Sequence, residues 1–322
     1  MSQINGRQLL AVAFAVSAFN SDAAFAQTFP DRPIALYSAF APGSPQDLIV
    51  RAVADIATKD LGQPIVTDNK PGAAATLAAA SLLSAKSDYT IASAAIPLVL
   101  VPQMQKVSFD PFRDFTYILQ FASFPVGVAV KAESQFRTWG DVIAYAKAHP
   151  RKVTYGTPGA GTSVHLGMER IAKHAGVSLV HVPHSGAMGI IPAVLGDHVV
   201  LMATGTEWKP MVDAGQMRLL VIWTQKRHPS FPEVPTLRES GVPFDVEVPF
   251  GLIGPKGMQP AVVARLHDAF KNASEAPEAQ ALLKKYDMIY RYQNGEGFRQ
   301  TMQAIAQDMK PVIDELGIAR KD

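Results

Sequence analysis

The chain has 322 residues, 48% of them hydrophobic and 18% charged, with a formal net charge of +2. This fits a globular protein with room for two domains, and a near-neutral chain without a basic stripe excludes nucleic acid as an expected partner. No cysteine occurs, which excludes a thiol nucleophile, a disulfide framework and a lipoprotein anchor.

The N-terminus reads as an export signal. Arg7 precedes an apolar run over residues 9–19, and Ala24-Phe25-Ala26 offers the small-x-small pattern for cleavage after Ala26. The run is too short to span a bilayer. A buried N-terminal helix is the competing reading. Export would leave a soluble protein starting at Gln27, periplasmic in a Gram-negative host.

Residues 34–40 have strand character, and Ala41-Pro42-Gly43-Ser44-Pro45-Gln46-Asp47 turns them into a helix. Ser44 as N-cap, Pro45 at the first helical position and Asp47 at the third make a capping-box-like start. A strand through Ile65 and Val66, a turn at 68–72, an alanine-rich helix to about Ala85 and a strand over 89–96 continue an alternation typical of a parallel sheet. Residues 109–115 read as a loop with aromatic anchors, and 125–131 as an apolar strand leading into a second lobe.

The alternation then repeats, with a helix over 138–149 and a strand over 152–155. Next comes Tyr155-Gly156-Thr157-Pro158-Gly159-Ala160-Gly161-Thr162-Ser163-Val164-His165. Val164, Met168, Ile171, Ala172 and Ala175 recur at helical spacing, so this stretch reads as strand, glycine loop and helix start. Strands over 179–182, 199–203 and 218–224 and short helices ending near Leu195 and Ala214 follow. An extended return, an apolar segment at 250–253 and helices over 260–271, 277–286 and 297–316 would rejoin and brace the first lobe.

The glycine loop leaves the first helical N–H groups free, and with the helix dipole these favour a carboxylate or phosphate by about 0.3–2 kcal/mol. An ordinary capped helix behind a flexible turn fits the same local pattern. The stretch nearly matches G-x-x-x-x-G-K-[ST], but Thr162 replaces the lysine that a nucleotide-binding loop requires. The dinucleotide fingerprint also fails, because Val164 stands where its third glycine would be.

His165 and His184 are candidate donors to a carboxylate, with one of the two expected to be only packed. Asp47 reads more readily as a capping carboxylate than as a ligand contact, and Ser44 has the same ambiguity. Trp208 can line a cleft or pack in a core. Glu207 can select a cationic group or interact with its own helix dipole. His181 and His184, three residues apart without a supporting carboxylate, do not make a metal site, and no cofactor is expected.

Several motifs in order resemble the solute-binding proteins of tripartite tricarboxylate transporters, the Bug family. They are Phe29-Pro30-Asp31-Arg32-Pro33-Ile34, Ala41-Pro42-Gly43 to Asp47, Asp68-Asn69-Lys70-Pro71-Gly72-Ala73, and Phe109-Asp110-Pro111 to Asp114-Phe115. Most specific are the stretch from Tyr155 to Leu166, then Val182-Pro183-His184-Ser185-Gly186 and Val234-Pro235-Thr236-Leu237. The resemblance implies an α/β, two-lobed type II periplasmic binding protein fold with two crossover strands. Residues 27–125 and 249–322 would form one lobe and 126–248 the other. It implies a monomeric, non-enzymatic protein that closes on a small carboxylate and hands it to an integral-membrane permease.

The resemblance carries ligand contacts to Gly43, Ser44, Gln46 and Asp47 in the first lobe. In the second it carries them to Gly159, Ala160, Gly161, Thr162, Ser163, His165, His184 and Ser185; Thr204 and Trp208 complete the candidate set. This chain departs from the family's pattern in Ser44-Pro45, where glycine is usual, in His184, where tyrosine is commoner, and near Ala203 and Thr204, where an aspartate is missing. The ligand therefore stays open among dicarboxylates, tricarboxylates and aromatic acids. Two rivals remain: an exported hydrolase using Ser163 or Ser185, for which no G-x-S-x-G elbow exists, and a ligand sensor on the same fold.

Overall fold

A computed structural model describes residues 29–184, 186–244 and 248–320. The expected signal segment with its cleavage site, and Ser185, lie outside the described residues. The chain opens with β1 (Ile34–Ser38), α1 (Pro45–Leu61) and β2 (Ile65–Asn69). A 3-10 turn at Ala73–Ala75, α2 (Leu77–Ala85), β3 (Thr90–Ala95) and α3 (Pro97–Met104) follow. Helix α1 starts where its sequence signals place it. The Ser44 hydroxyl accepts the Asp47 N–H at 3.3 Å, Pro45 occupies the first turn, and Gly62 ends the helix at φ 72°.

Strands β4 (Phe115–Phe124) and β5 (Gly127–Lys131) come next, separated only by Pro125 and Val126. After them run α4 (Trp139–Ala148), β6 (Thr154–Thr157), α5 (Ser163–Ala175), β7 (Val180–Pro183), α6 (Ile190–Leu195) and β8 (Leu201–Thr204). A 3-10 turn at Thr206–Trp208, α7 (Lys209–Asp213) and β9 (Met217–Ile222) complete this part. The chain ends with β10 (Val248–Pro255), α8 (Pro260–Glu275), α9 (Pro277–Lys285), β11 (Ile289–Asn294) and α10 (Gly295–Glu315).

Two sheets result, ordered β11-β4-β10-β3-β1-β2 and β7-β6-β8-β5-β9. The chain crosses between them twice, from β4 into β5 and from β9 back into β10. Parallel pairing holds for β1 with β2 and β3, and for β6 with β7 and β8, as the alternation predicts. The strands next to each crossing break it: β10 is antiparallel to β3 and β4, and β5 is antiparallel to β8 and β9.

Several local expectations change. Asp68 and Asn69 are strand residues, because β2 pairs as far as Ser38 with Asn69, so the turn starts at Lys70. Residues 206–214 form a 3-10 turn and a short helix in place of one helix. Strand β4, helix α3 and strand β11 are additional elements.

Helix α10 ties the C-terminal segment to α5, through Arg170–Asp308 at 3.0 Å and Lys173–Glu315 at 2.5 Å. In the six-stranded sheet Phe121, Phe250 and Leu252 are buried and share a core with Phe270 of α8, and Gly251 between Phe250 and Leu252 has no room for a side chain. A Cβ there would stand 2.3 Å from the Leu119 carbonyl oxygen and 2.7 Å from the Phe298 ring. The first is backbone in a paired strand and cannot yield. Gly251→Ala is therefore expected to cost about 3 kcal/mol, the upper end of overpacking penalties, read as a lower urea midpoint at unchanged slope.

Candidate functional site

The two crossings place the start of α1, from one sheet, and the start of α5, from the other, around one cleft of about 950 Å³. Pro45 and Gln46 line it from the first, and Pro158, Ala160, Gly161, Thr162, Ser163 and Val164 from the second. Phe124, Pro125 and Val126 at the β4–β5 crossing also line it, as do Ile96, Leu100, Val101 and Met104 from the α3 region.

The loop before α5 is held from beneath. Thr162 caps the helix by accepting the His165 N–H at 3.3 Å and donates its own hydroxyl proton to the Gly159 carbonyl at 2.8 Å. The Gly161 N–H donates to His165 Nδ1 at 3.1 Å, which keeps the ring proton on Nε2, 3.9 Å from Glu169 Oε1. His165 stacks on His181 at 3.8 Å, and His181 on Tyr155 at 5.0 Å. His181 Nε2 bonds the Thr157 hydroxyl at 2.7 Å, and Tyr155 donates its hydroxyl proton to Glu169. Burial lowers both imidazoles to about 4, so near neutral pH the stack is uncharged.

Gly161 meets two demands at once. Its φ is +75°, and a Cβ would stand 3.0 Å from Met104 Sδ across the cleft. The α3 wall and the α5 loop therefore touch here. The Ser163 hydroxyl makes no hydrogen bond among the described residues, and the first turn of α5 holds no acidic side chain. Its amides and dipole face the cleft without an internal anion.

The start of α1 differs. Asp47 is 1% exposed and accepts the Gly43 N–H at 3.0 Å, Arg51 Nε at 3.0 Å and Asn69 Nδ2 at 2.6 Å. Burial alone would push this carboxyl up, but those hydrogen bonds outweigh it and hold it below the usual carboxylate value. Helix α1 thus already carries its own anion, and Gln46 is what it turns toward the cleft.

Of the candidate residues, Gln46, Ala160, Gly161, Thr162 and Ser163 line the cleft. Gly43, Ser44 and Asp47 build the α1 turn behind it, and Gly159 and His165 support the α5 loop. His184 packs its ring against Gly156 and Gly189, with Nε2 buried and unbonded. Thr204 is buried and donates to the Gly205 carbonyl at 3.3 Å. Trp208 is fully buried against Phe231 at 5.2 Å, in the core behind the wall. Glu207, weighed in the sequence as a possible selector, lines the cleft with Thr206, Lys209 and Met211.

Sequence reasoning missed the α3 wall, Ala74 and Ala75, and the turn from Lys285 to Met288. Pro97 before an apolar run was the available signal for α3, and Pro102 inside that run argued against it.

Two sheets linked by two crossings around a ligand-sized cleft define a two-lobed periplasmic binding protein fold of the type II class. The tripartite tricarboxylate transporter family receptor model, TctC, matches residues 49–318, and the chain belongs to this family. It is 41% identical over 296 residues to the UPF0065 protein in the gbd 5′ region of Cupriavidus necator, covering 92% of this chain and 90% of that protein.

Among solved structures it is similar to a TctC solute-binding protein from Polaromonas without ligand, at TM-score 0.80 and 27% identity over 89% of this chain and 100% of that one. It is also similar to MatC from Rhodopseudomonas palustris with bound malate, at TM-score 0.72 and 25% identity over 88% and 100%. Family and fold are those of periplasmic solute-binding proteins, which are not enzymes. No helix among the described residues is long and apolar enough to cross a membrane.

Proposed function

We propose that the protein captures a small carboxylate in this cleft and delivers it, as a monomer, to the membrane permease of a tripartite transporter. Export would remove residues 1–26. Residues 27–125 and 249–322 would act as one lobe and 126–248 as the other; sheet membership supports this division except at Val248, which pairs with Phe124 in the six-stranded sheet. The observation that carries the reading is the start of α5: free helix amides, an unpartnered Ser163 hydroxyl and no acidic side chain in the first turn, facing a cleft that both sheets line. The similarity to a malate-bound relative points the same way.

A carboxylate held at about micromolar Kd needs about 8 kcal/mol. Charge-assisted hydrogen bonds of about 1.5–3 kcal/mol each, from amides, Ser163 and Gln46, supply that after closure costs. Closing of the lobes is then the change that a permease reads.

For the hydrolase rival built on Ser163, the neighbouring His165 is not available as a base. His165 Nδ1 is occupied by the Gly161 N–H and Nε2 carries the proton toward Glu169, so no ring lone pair is left for Ser163.

Thr162 caps α5, so its removal would cost stability as well as binding; Ser163 is the cleaner probe. With a carboxylate found by thermal-shift screening, Ser163→Ala is expected to weaken binding about tenfold or more, by the loss of one charge-assisted hydrogen bond, with the apo melting temperature unchanged. Undiminished affinity in calorimetry would remove the α5 start from the site.

A further inference from the structure

The cleft treats charge unevenly along its second-lobe wall. The start of α5 offers donors and no acid, yet the turn at Thr206–Trp208 brings Glu207 into the same wall. Much of the remaining lining is apolar, including Ile96, Leu100, Val101, Met104, Ile191 and Met211. An anionic ligand that fills this cleft must bring something that Glu207 accepts.

Glu207 belongs to the wall and not to bulk solvent. Its Oε2 is buried and accepts no hydrogen bond, and it lies so close over Gly205 that a Cβ there would come within 3.0 Å. Among the described residues no cation pairs with it. Lys209 is engaged by Asp213 at 2.6 Å, stands 3.9 Å from Asp287 and lies over the Phe231 ring. Lys285 is exposed at the rim beside Tyr286.

Burial pushes the Glu207 carboxyl up, against smaller pulls from its own N–H and Thr204. A buried acceptor without a donor is a standing cost that a ligand N–H relieves. A second ligand carboxylate beside the ionised Glu207 brings only acceptors and like charge, so the selection operates above its raised value.

We propose that Glu207 determines the specificity of the cleft, selecting a carboxylate whose apolar body ends in a hydrogen-bond donor such as an amine and rejecting one that ends in a second carboxylate. This rests on the carboxylate-binding reading above and narrows it. The carboxylate end sits at Ser163 and the first amides of α5. The donor end takes the free valence of Glu207, which no side chain of the protein fills.

Two matched probe series test it by calorimetry: benzoate, 4-aminobenzoate and terephthalate, and hexanoate, 6-aminohexanoate and adipate. In at least one series the amino acid is expected to bind wild type about tenfold or more tightly than the dicarboxylate of the same body. Glu207→Gln, which keeps the size and removes the charge, is expected to collapse that ratio. Gly205→Ala, which presses on the carboxyl without removing it, is expected to weaken the amino acid while sparing the unsubstituted acid.

Dicarboxylates that bind wild type as tightly as their amino partners in both series overturn the assignment, as does a ratio unchanged in Glu207→Gln. Binding of malate or citrate with no binding of either amino acid overturns it too, and leaves carboxylate capture standing. Failure of every carboxylate, malate and citrate included, overturns both readings together.

Discussion

Asp47→Ala is expected to lower stability by about 3 kcal/mol, as removal of one partner of a buried ion pair does, and to weaken ligand binding although Asp47 does not line the cleft. The carboxylate holds three groups at once: the Gly43 N–H, the Arg51 guanidinium and the Asn69 amide. Asn69 in turn donates to the Phe40 carbonyl at 3.0 Å, so the end of β1, the α1 turn and the end of β2 meet on one side chain. Alanine leaves Gly43 without its acceptor and Arg51, about one third exposed, without its partner.

Partial exposure of Arg51 keeps the cost at the low end of the range for buried pairs. Asp47→Asn retains an acceptor for Gly43 and is expected to lose about 1 kcal/mol. The sign with pH is fixed: the folded carboxyl is held below its ordinary value of 3.8, so its stabilisation is complete above that pH and is lost as pH falls through the folded value. Wild type and Asp47→Ala should therefore differ most near neutrality and converge in acid. Urea titrations at several pH values measure this; a gap that does not shrink would mean that shape, not charge, accounts for Asp47.

The same residue marks how far the sequence could be read. Ser44, Pro45 and Asp47 announced the start of α1, and Gly159 to Ser163 that of α5, because caps and turns are written locally. That both starts border one cleft is a property of the crossings; the repeat of the strand, loop and helix-start unit suggested it, and the family motifs pointed to it. What local pattern did not show is that α1 arrives with its own anion in place while α5 does not.

Strand β4 escaped because its residues from Tyr117 to Ser123 are all buried, so no alternation marks it. Strand β11 escaped for the opposite reason. Ile289–Asn294 is an edge strand with residues half-buried throughout except Asn294, and only its pairing with β4 defines it. The cleft residues from Lys285 to Met288 are far in sequence from the other lining residues, and nothing in their own pattern records that proximity.

Acidification is expected to destabilise the protein between pH 6.5 and about 4 through His165 and His181 before those two rings affect its ligand affinity. His165 and His181 have their folded values lowered to about 4 from 6.5, chiefly by burial, with His181 also lowered by His165 and His184 against an upward pull from Glu169. Below 6.5 the unfolded chain takes up protons that the folded chain refuses, so stability falls with pH until the folded imidazoles also titrate. With His181 half-buried and screened, the pair is expected to contribute about 3 kcal/mol over this window. Burial lowers His228 as well and adds to the slope in the same direction.

Affinity follows a different course, because it depends on the folded state alone. There His165 Nδ1 keeps accepting the Gly161 N–H until the ring is protonated near pH 4, and an Nδ1–H would then face that amide donor to donor. Read in Glu207→Gln, so that the raised carboxyl in the cleft does not titrate alongside, the melting temperature should therefore drop from pH 6.5 to 5 while the Kd of a fully ionised carboxylate stays level; nearer pH 4 the α5 loop loses its anchor and the two fall together. His165→Gln, which removes one titrating ring, should flatten the upper part of the stability profile. An affinity that declined in step with stability from pH 6.5 downward would mean that the imidazoles titrate in the folded protein near their ordinary value, and the stack beneath the loop would be hydrated and not the closed neutral support its geometry describes.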